Sequence, residues 1–364
     1  MEQGKELLAL LRLGLGNSKP EDETLSDFIK LSANRWAQLG EKALEQGVLG
    51  IALEGVERLD STPYGPTREL SKQLKLEWIG QVMQIEQGNH QQIKVMNQVA
   101  DKMAVGSIKM MVFKGQVNGL LYPNQLHRSP GDIDFYLFGN YSKGNDILRQ
   151  QGAKVDEGWY KHSQISYNGE LLENHLFFVH TREGKRSKQL QKELEDALQV
   201  KEWSTFPESK VLLPPTQWNA MFLTYHAFAH FLSEGLRLKQ ILDWAMFLKK
   251  EQNNIDWNVF YEYCDKYHFR RFVDAMTAIS VKYLGIIVEN SEITIESPYI
   301  EKILNSTLYD EDYIYNAGES IWKSRWHVIR SLFKYRWRYE EVYQESVWKQ
   351  LWWYVSGYFF HTEQ

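Results

Sequence analysis

The residues best equipped for chemistry lie between Met110 and Leu137, in the run MMVFKGQVNGLLYPNQLHRSPGDIDFYL. Side chains at i and i+2 of a strand share a face, about 6.6–7 Å apart along the chain. Asp132 and Asp134 would therefore present two carboxylates side by side, while Ile133 and Phe135 turn to the other face. Oxygen ligands on a rigid strand suit a hard cation, Mg²⁺ or Mn²⁺. They can also share two ions roughly 3.5–4 Å apart, as in in-line phosphoryl displacement. Acid-x-acid triplets recur at Glu21-Asp22-Glu23, Glu193-Leu194-Glu195 and Asp310-Glu311-Asp312, in polar or helical surroundings that read as solvated faces. Asp132-Ile133-Asp134 instead opens an apolar run directly after the Pro130-Gly131 turn. Half-buried paired carboxylates are costly there without a cation.

Other candidates lie downstream. Asn168-Gly169 is a strong hairpin signal and delivers a strand from Leu171 onward to His180. Glu173, His175 and Phe177 would share one of its faces, which makes Glu173 a candidate third carboxylate with His175 beside it. His226 and His230 are spaced i, i+4 and so share a helix face. That spacing occurs in zinc-binding helices, but Ala227 stands where the hydrolytic Glu would follow the first His. Lining a cleft above the carboxylates, or packing in the core, fits these histidines better than a zinc site. Arg237, Lys239 and Asp243 follow, with a phosphate-facing role and a solvated surface equally open for the two cations.

The elements that must position these groups can be read from pattern. The chain has 364 residues, 43% apolar and 24% charged, ordinary values for a globular protein with a sizeable core. A net charge of −5 argues against general binding of nucleic acid over the surface. The single cysteine, Cys264, cannot form an intrachain disulfide and sits in a helical, aromatic-rich stretch. The leucines from Leu7 to Leu15 fit a helical face rather than a signal peptide, and no apolar stretch is long enough for a membrane span. A cytoplasmic protein is expected. Helices are expected around Leu25–Trp36, over Ala43–Leu59, over Leu70–Val105 as one or two, and at Asn145–Gln151, with a loop at 60–66. From Pro214 onward the pattern is helical. The stretch from Lys323 to Arg338 carries six Lys or Arg and no acid, interleaved with Trp326, Phe333, Tyr335 and Trp337. Trp348, Leu351, Trp352, Val355 and Phe359 then mark one face of a closing helix. Packing on the core is the expected role of this basic, aromatic tail, against docking to a polyanion or membrane.

The order strand, Lys114-Gly115, helix, Leu121-Tyr122-Pro123, Arg128 and Gly131-Asp132-Ile133-Asp134 on a second strand resembles the uncharacterised nucleotidyltransferase family, within the polymerase-β-like superfamily. A second block, Leu213-Pro214-Pro215-Thr216 through Tyr225-His226-Ala227-Phe228-Ala229-His230-Phe231 to Asp243-Trp244, is similar to the family's helical part. The superfamily usually shows Gly-Ser or Gly-Gly ahead of the carboxylates; this chain has Gly115-Gln116 and a longer spacer.

The resemblance implies an α+β fold: a small mixed nucleotidyltransferase sheet over 101–182, flanked by N-terminal helices over 1–100 and a larger C-terminal helical domain over 183–364. It implies Mg²⁺-dependent transfer of a nucleoside monophosphate from an NTP to a hydroxyl-bearing acceptor, a small molecule or a protein side chain, with release of pyrophosphate. Asp132 and Asp134 would hold the metal, and Glu173 would complete the site and help deprotonate the acceptor. Lys114, the Gly115 backbone and Arg128 would bind the triphosphate, since phosphate can approach glycine closely. Two rivals are a non-catalytic nucleotide-binding module and a metallohydrolase built on His226 and His230.

Overall fold

The computed structural model describes residues 3–18, 27–28, 30–62, 69–181, 184–310 and 321–352. Four helices come first: α1 (Gln3–Gly14), α2 (Ala33–Glu45), α3 (Leu49–Asp60) and α4 (Lys72–Val105). The leucine run forms α1 and buries Leu7, Leu8, Leu10 and Leu11. Ser32 caps α2 by accepting from the Arg35 amide. Among the described residues, the amphipathic segment expected around Leu25–Trp36 is α-helical from Ala33; Leu25 and Ile29 lie outside the described residues. The single helix expected from Ala43 to Leu59 also breaks. Gly47 sits at φ +68°, and the amides of Gly47 and Val48 return to the carbonyls of Leu44 (3.0 Å) and Ala43 (2.8 Å). This Schellman turn needs a residue without a Cβ and ends α2 there. The polar stretch from Leu70 to Val105 is one helix, α4, capped by Ser71. Of the loop expected at 60–66, residues 63–66 lie outside the described residues.

The sheet follows: β1 (Met111–Val112), α5 (Gly115–Gly119), β2 (Ile133–Tyr136), α6 (Tyr141–Gln150), β3 (Lys154–Asp156), β4 (His162–Tyr167) and β5 (Glu170–His175). Its order is β1-β2-β5-β4-β3. Strands β2 and β5 run parallel and the other pairs antiparallel, so the sheet is mixed and the fold α+β. The β4–β5 hairpin turns on Asn168 (φ 50°) and Gly169 (φ 85°), the left-handed pair a two-residue turn requires. The strand expected to reach His180 stops at His175. The amides of Leu176 and Phe177 both turn to the Lys161 carbonyl, at 2.9 and 3.1 Å, and leave the ladder. Helix α6 starts at Tyr141, earlier than the expected Asn145. One sheet face packs Ile133, Phe135, Ile165 and Leu172 against Val95, Met96 and Val99 of α4.

The C-terminal helices are α7 (Lys185–Asp196), α8 (Thr216–Ser233), α9 (Leu238–Glu251), α10 (Trp257–Lys266), α11 (Arg270–Lys282), α12 (Ile300–Tyr309) and α13 (Ile321–Lys334), followed by a π-helical turn at Arg338–Tyr343. One apolar cluster joins α7 through α12 and the π-helical turn to α1, α2 and α3. Cys264 lies inside it, and burial pushes its thiol well up, as expected of an inert core residue. The basic tail is anchored through Arg338, buried at 2% exposure. Its guanidinium donates to the Phe231 carbonyl (2.9 Å) and Ser306 Oγ (2.7 Å), pairs with Asp310 and stacks on Tyr335 (4.0 Å). Trp326, Trp348 and Trp352 are exposed; Val355 and Phe359 lie outside the described residues. No described helix is long and apolar enough to cross a membrane.

Candidate active site

Asp134 lies on β2 directly beside Glu173 of the parallel neighbour β5, and Asp132 lies two residues earlier, just before the strand. Their carboxylates converge: each offers an oxygen within 4.8 Å of the others. Three hard oxygens so gathered suit a divalent ion such as Mg²⁺, and two further features show how strongly negative charge is concentrated here. The negative charge of Asp134, together with burial, pushes the Asp132 carboxyl upward. Burial works to raise Asp134 as well, but the Lys114 ammonium at 2.7 Å and the His175 ring at 2.8 Å hold it well below the usual carboxylate range. At Glu173, burial is outweighed by the hydrogen bond from His175, and this carboxyl too is lowered.

Lys114 occupies the turn between β1 and α5. Its backbone stands at φ 66°, ψ −156°, a region held almost only by glycine, at a cost of ~1–3 kcal/mol. The surroundings impose that conformation and aim the ammonium at Asp134. Gly115 follows at φ 46°. Burial opposes the Lys114 charge, yet Asp134 and Asp132 outweigh it and raise its pKa.

The loop before the carboxylates is fixed from α4. Asn89 donates to the carbonyls of Leu126 (2.6 Å) and Arg128 (2.9 Å), and Gln92 to that of Gly131. Gln116 of α5 donates in turn to Asn89 (2.8 Å) and Gln92 (3.0 Å). The amide-rich face of α4 is thus a buried clamp.

A second buried carboxylate, Asp243 on α9, gathers the same region. Arg128 forks onto it through Nε and Nη2, both 2.8 Å, while Tyr122 donates at 2.8 Å and Asn118 at 3.2 Å. Burial works to raise Asp243, and the Arg128 guanidinium holds it down. The remaining Arg128 Nη1 reaches the Ser129 carbonyl at 3.4 Å.

Several of these groups line a cleft of about 1010 Å³, whereas Glu173 and His175 are not among its lining residues. Lys114, Gly115, Arg128, Asp132, Asp134, Lys239 and Asp243 line it, together with His226 and His230 of α8. The tail supplies a further, apolar stretch of lining from Val328, Ile329, Leu332 and Leu351. Lys239 donates to the Pro130 carbonyl at 3.2 Å. Burial and the neighbouring Arg128 charge push its ammonium down to about 7. The His226 and His230 rings meet edge-on at 4.5 Å. Burial, helped by the Lys114 charge, holds His226 well below the usual histidine range, so it is neutral near pH 7. Among the described residues, neither of the two metal-ligating clusters includes His226 or His230.

The second such cluster joins Glu173 and His175 to His162, which belongs to none of the sequence motifs described above. Its signal was present. A two-residue Asn-Gly turn puts Tyr167 opposite Glu170, and that register carries His162 opposite His175.

Comparison with curated proteins and with solved structures finds no match. The model of a protein family described as uncharacterised nucleotidyltransferase matches residues 32–285, which take in the sheet, the carboxylates and helices α8 to α11. The chain belongs to this uncharacterised nucleotidyltransferase family.

Proposed function

We propose that the chain moves a nucleoside monophosphate from an NTP to a hydroxyl-bearing acceptor and releases pyrophosphate, with Mg²⁺ or Mn²⁺ held by Asp132, Asp134 and Glu173. The observation that carries this reading is the convergence of those three carboxylates beside a lysine in a strained turn. Such an ion would neutralise charge on the triphosphate and on the oxygens that attack and leave.

The chain's own groups supply the rest. Lys114 Nζ, 2.7 Å from Asp134, would turn to a phosphate oxygen if the carboxylates held such an ion. The Gly115 backbone has no side chain to keep that phosphate away. Arg128, committed to Asp243 by both arms of its fork, contributes mainly charge and the fixed shape of its loop. Lys239 adds a second cation on the same wall. Glu173, ionised and hydrogen-bonded by His175, accepts the proton of the acceptor hydroxyl as its oxygen bonds to the α-phosphorus. The bond from that phosphorus to the bridging oxygen breaks, and pyrophosphate departs.

The direct test incubates the protein with Mg²⁺, each α-labelled NTP and a panel of sugars, aminoglycoside-like compounds and proteins. Label transfer matched by pyrophosphate is expected, absent in Asp134→Asn. Tight NTP binding that never yields pyrophosphate across the panel would replace this reading with a nucleotide-binding module.

A further inference from the structure

Strand β5 has β2 on one side and β4 on the other. Glu173 therefore has Asp134 as its neighbour on β2, while on β4 His162 stands across from His175. One ring nitrogen of each histidine and one Glu173 oxygen lie within 4.8 Å of one another. His162 Nε2 is 3.3 Å from Glu173 Oε1, and His175 Nε2 is 3.3 Å from Oε2.

The two rings are held as ligands are held. His175 Nδ1 faces the Phe177 carbonyl at 3.1 Å, an acceptor only, so that nitrogen carries a proton. Nε2 faces the acceptor oxygens of Asp134 at 2.8 Å and of Glu173 at 3.3 Å, and donates there until a cation takes the place of its proton. A backbone carbonyl fixing the tautomer from behind is the usual support of a metal-binding imidazole. Both ring nitrogens of His162 are buried and neither makes a hydrogen bond, although the ring is fixed by stacking on Trp159 at 6.1 Å and 12°. A buried nitrogen left unmet is costly, and a cation at Nε2 would offset that cost. Two imidazoles and a carboxylate are the donor set of first-row transition ions, whereas Mg²⁺ prefers oxygen ligands and water.

We infer that His162, Glu173 and His175 bind a divalent first-row transition ion, in a second metal site that adjoins the aspartates and shares Glu173 with them. The site stands on its own donors and does not require nucleotidyl transfer to be the reaction.

The test loads the chelator-stripped full chain with Co²⁺ alone and records visible absorption and the paramagnetically shifted proton spectrum. Two exchangeable imidazole N–H resonances are expected, one from each histidine. His162→Gln should leave one of them and weaken Co²⁺ binding by at least ~10-fold, the lower end of the loss seen when even a supporting group is removed. Asp132→Asn should keep both. Co²⁺ held with no shifted imidazole proton, or not held at all, overturns the site. So does binding that Asp132→Asn abolishes and His162→Gln leaves intact. If His162→Gln fails to fold, the number of resonances in the wild type decides alone. Two resonances in a protein that transfers no nucleotide support the site and count only against the transfer reading.

Discussion

Asp134 and Asp243 are both buried carboxylates on the same cleft wall, and the fold treats them in opposite ways. Asp243 is closed: Arg128, Tyr122 and Asn118 bring four hydrogen bonds to its two oxygens. Asp134 is open to change. Lys114 and His175 both converge on one oxygen, Oδ1, while Asp132 and Glu173 add further negative charge beside it. A network whose charges cancel internally fixes position; one with surplus charge of one sign calls for a ligand. That difference fits Asp243 for holding the loop and, on the function proposed above, Asp134 for the chemistry.

The sharpest way to break the comparison is at Asp134. Asp134→Asn should lower turnover with Mg²⁺ by at least ~10³-fold, since several kcal/mol of charge stabilisation rest on the carboxylates. Near-wild-type turnover would end the assignment. The two aspartates should also part in stability. Asp134→Asn strands the Lys114 charge and should destabilise the metal-free protein. Asp132→Asn removes a repelled carboxylate and should stabilise it. Because the folded state raises the Asp132 pKa, it holds that proton to higher pH than the unfolded chain does. Wild-type stability thus falls as pH rises through that window. The Asn variant escapes this loss, so its advantage belongs to neutral pH and vanishes in acid. Thermal melts across pH would show it.

Next in size is the closed network. Asp243→Ala leaves Arg128 buried without a counter-charge and should cost ~3–5 kcal/mol in urea unfolding. Unchanged stability with lost activity would reverse the roles of the two carboxylates. Glu173→Gln lies below that, at about 10²-fold in rate for a positioned proton acceptor, with little change in NTP affinity. Unchanged kinetics would make Glu173 an ordinary strand residue.

The open network was largely legible in the sequence, and the closed one was not. Asp132, Asp134 and Glu173 follow from period-two alternation and a hairpin signal, which are local rules. The Arg128–Asp243 pair joins residues 115 positions apart, and no local pattern states which acid an arginine will meet. Periodicity does not reveal the burial of Asn89 and Gln92, because an amide is buried only with partners that here come from the loop at 126–131. The break at Gly47 and the stop at His175 were missed for a related reason. A turn residue or a competing carbonyl ended an apolar pattern that periodicity alone would have continued. His162 was different: the register that places it was available from the Asn168-Gly169 turn.

The smallest expected effect tests Lys239, which lies between the two networks and answers to both. Its ammonium is pushed down to about 7 by burial and by Arg128, while Asp243 and Asp132 pull it upward. The unfolded chain keeps this proton to higher pH than the folded one does. Stability of the free protein should therefore rise with pH above 7 as the buried charge is shed. Triphosphate binding favours the charged form, so NTP affinity should fall over the same range, by at most about tenfold per pH unit. Opposite slopes in melting temperature and in affinity are the signature of one buried lysine facing an anion. Lys239→Met should flatten the contribution of this group to both, and the difference between variant and wild type separates it from the nucleotide's own titration. If calorimetry shows the same pH dependence of NTP binding in the two proteins, Lys239 belongs with Asp243 as a support of the Pro130–Gly131 turn.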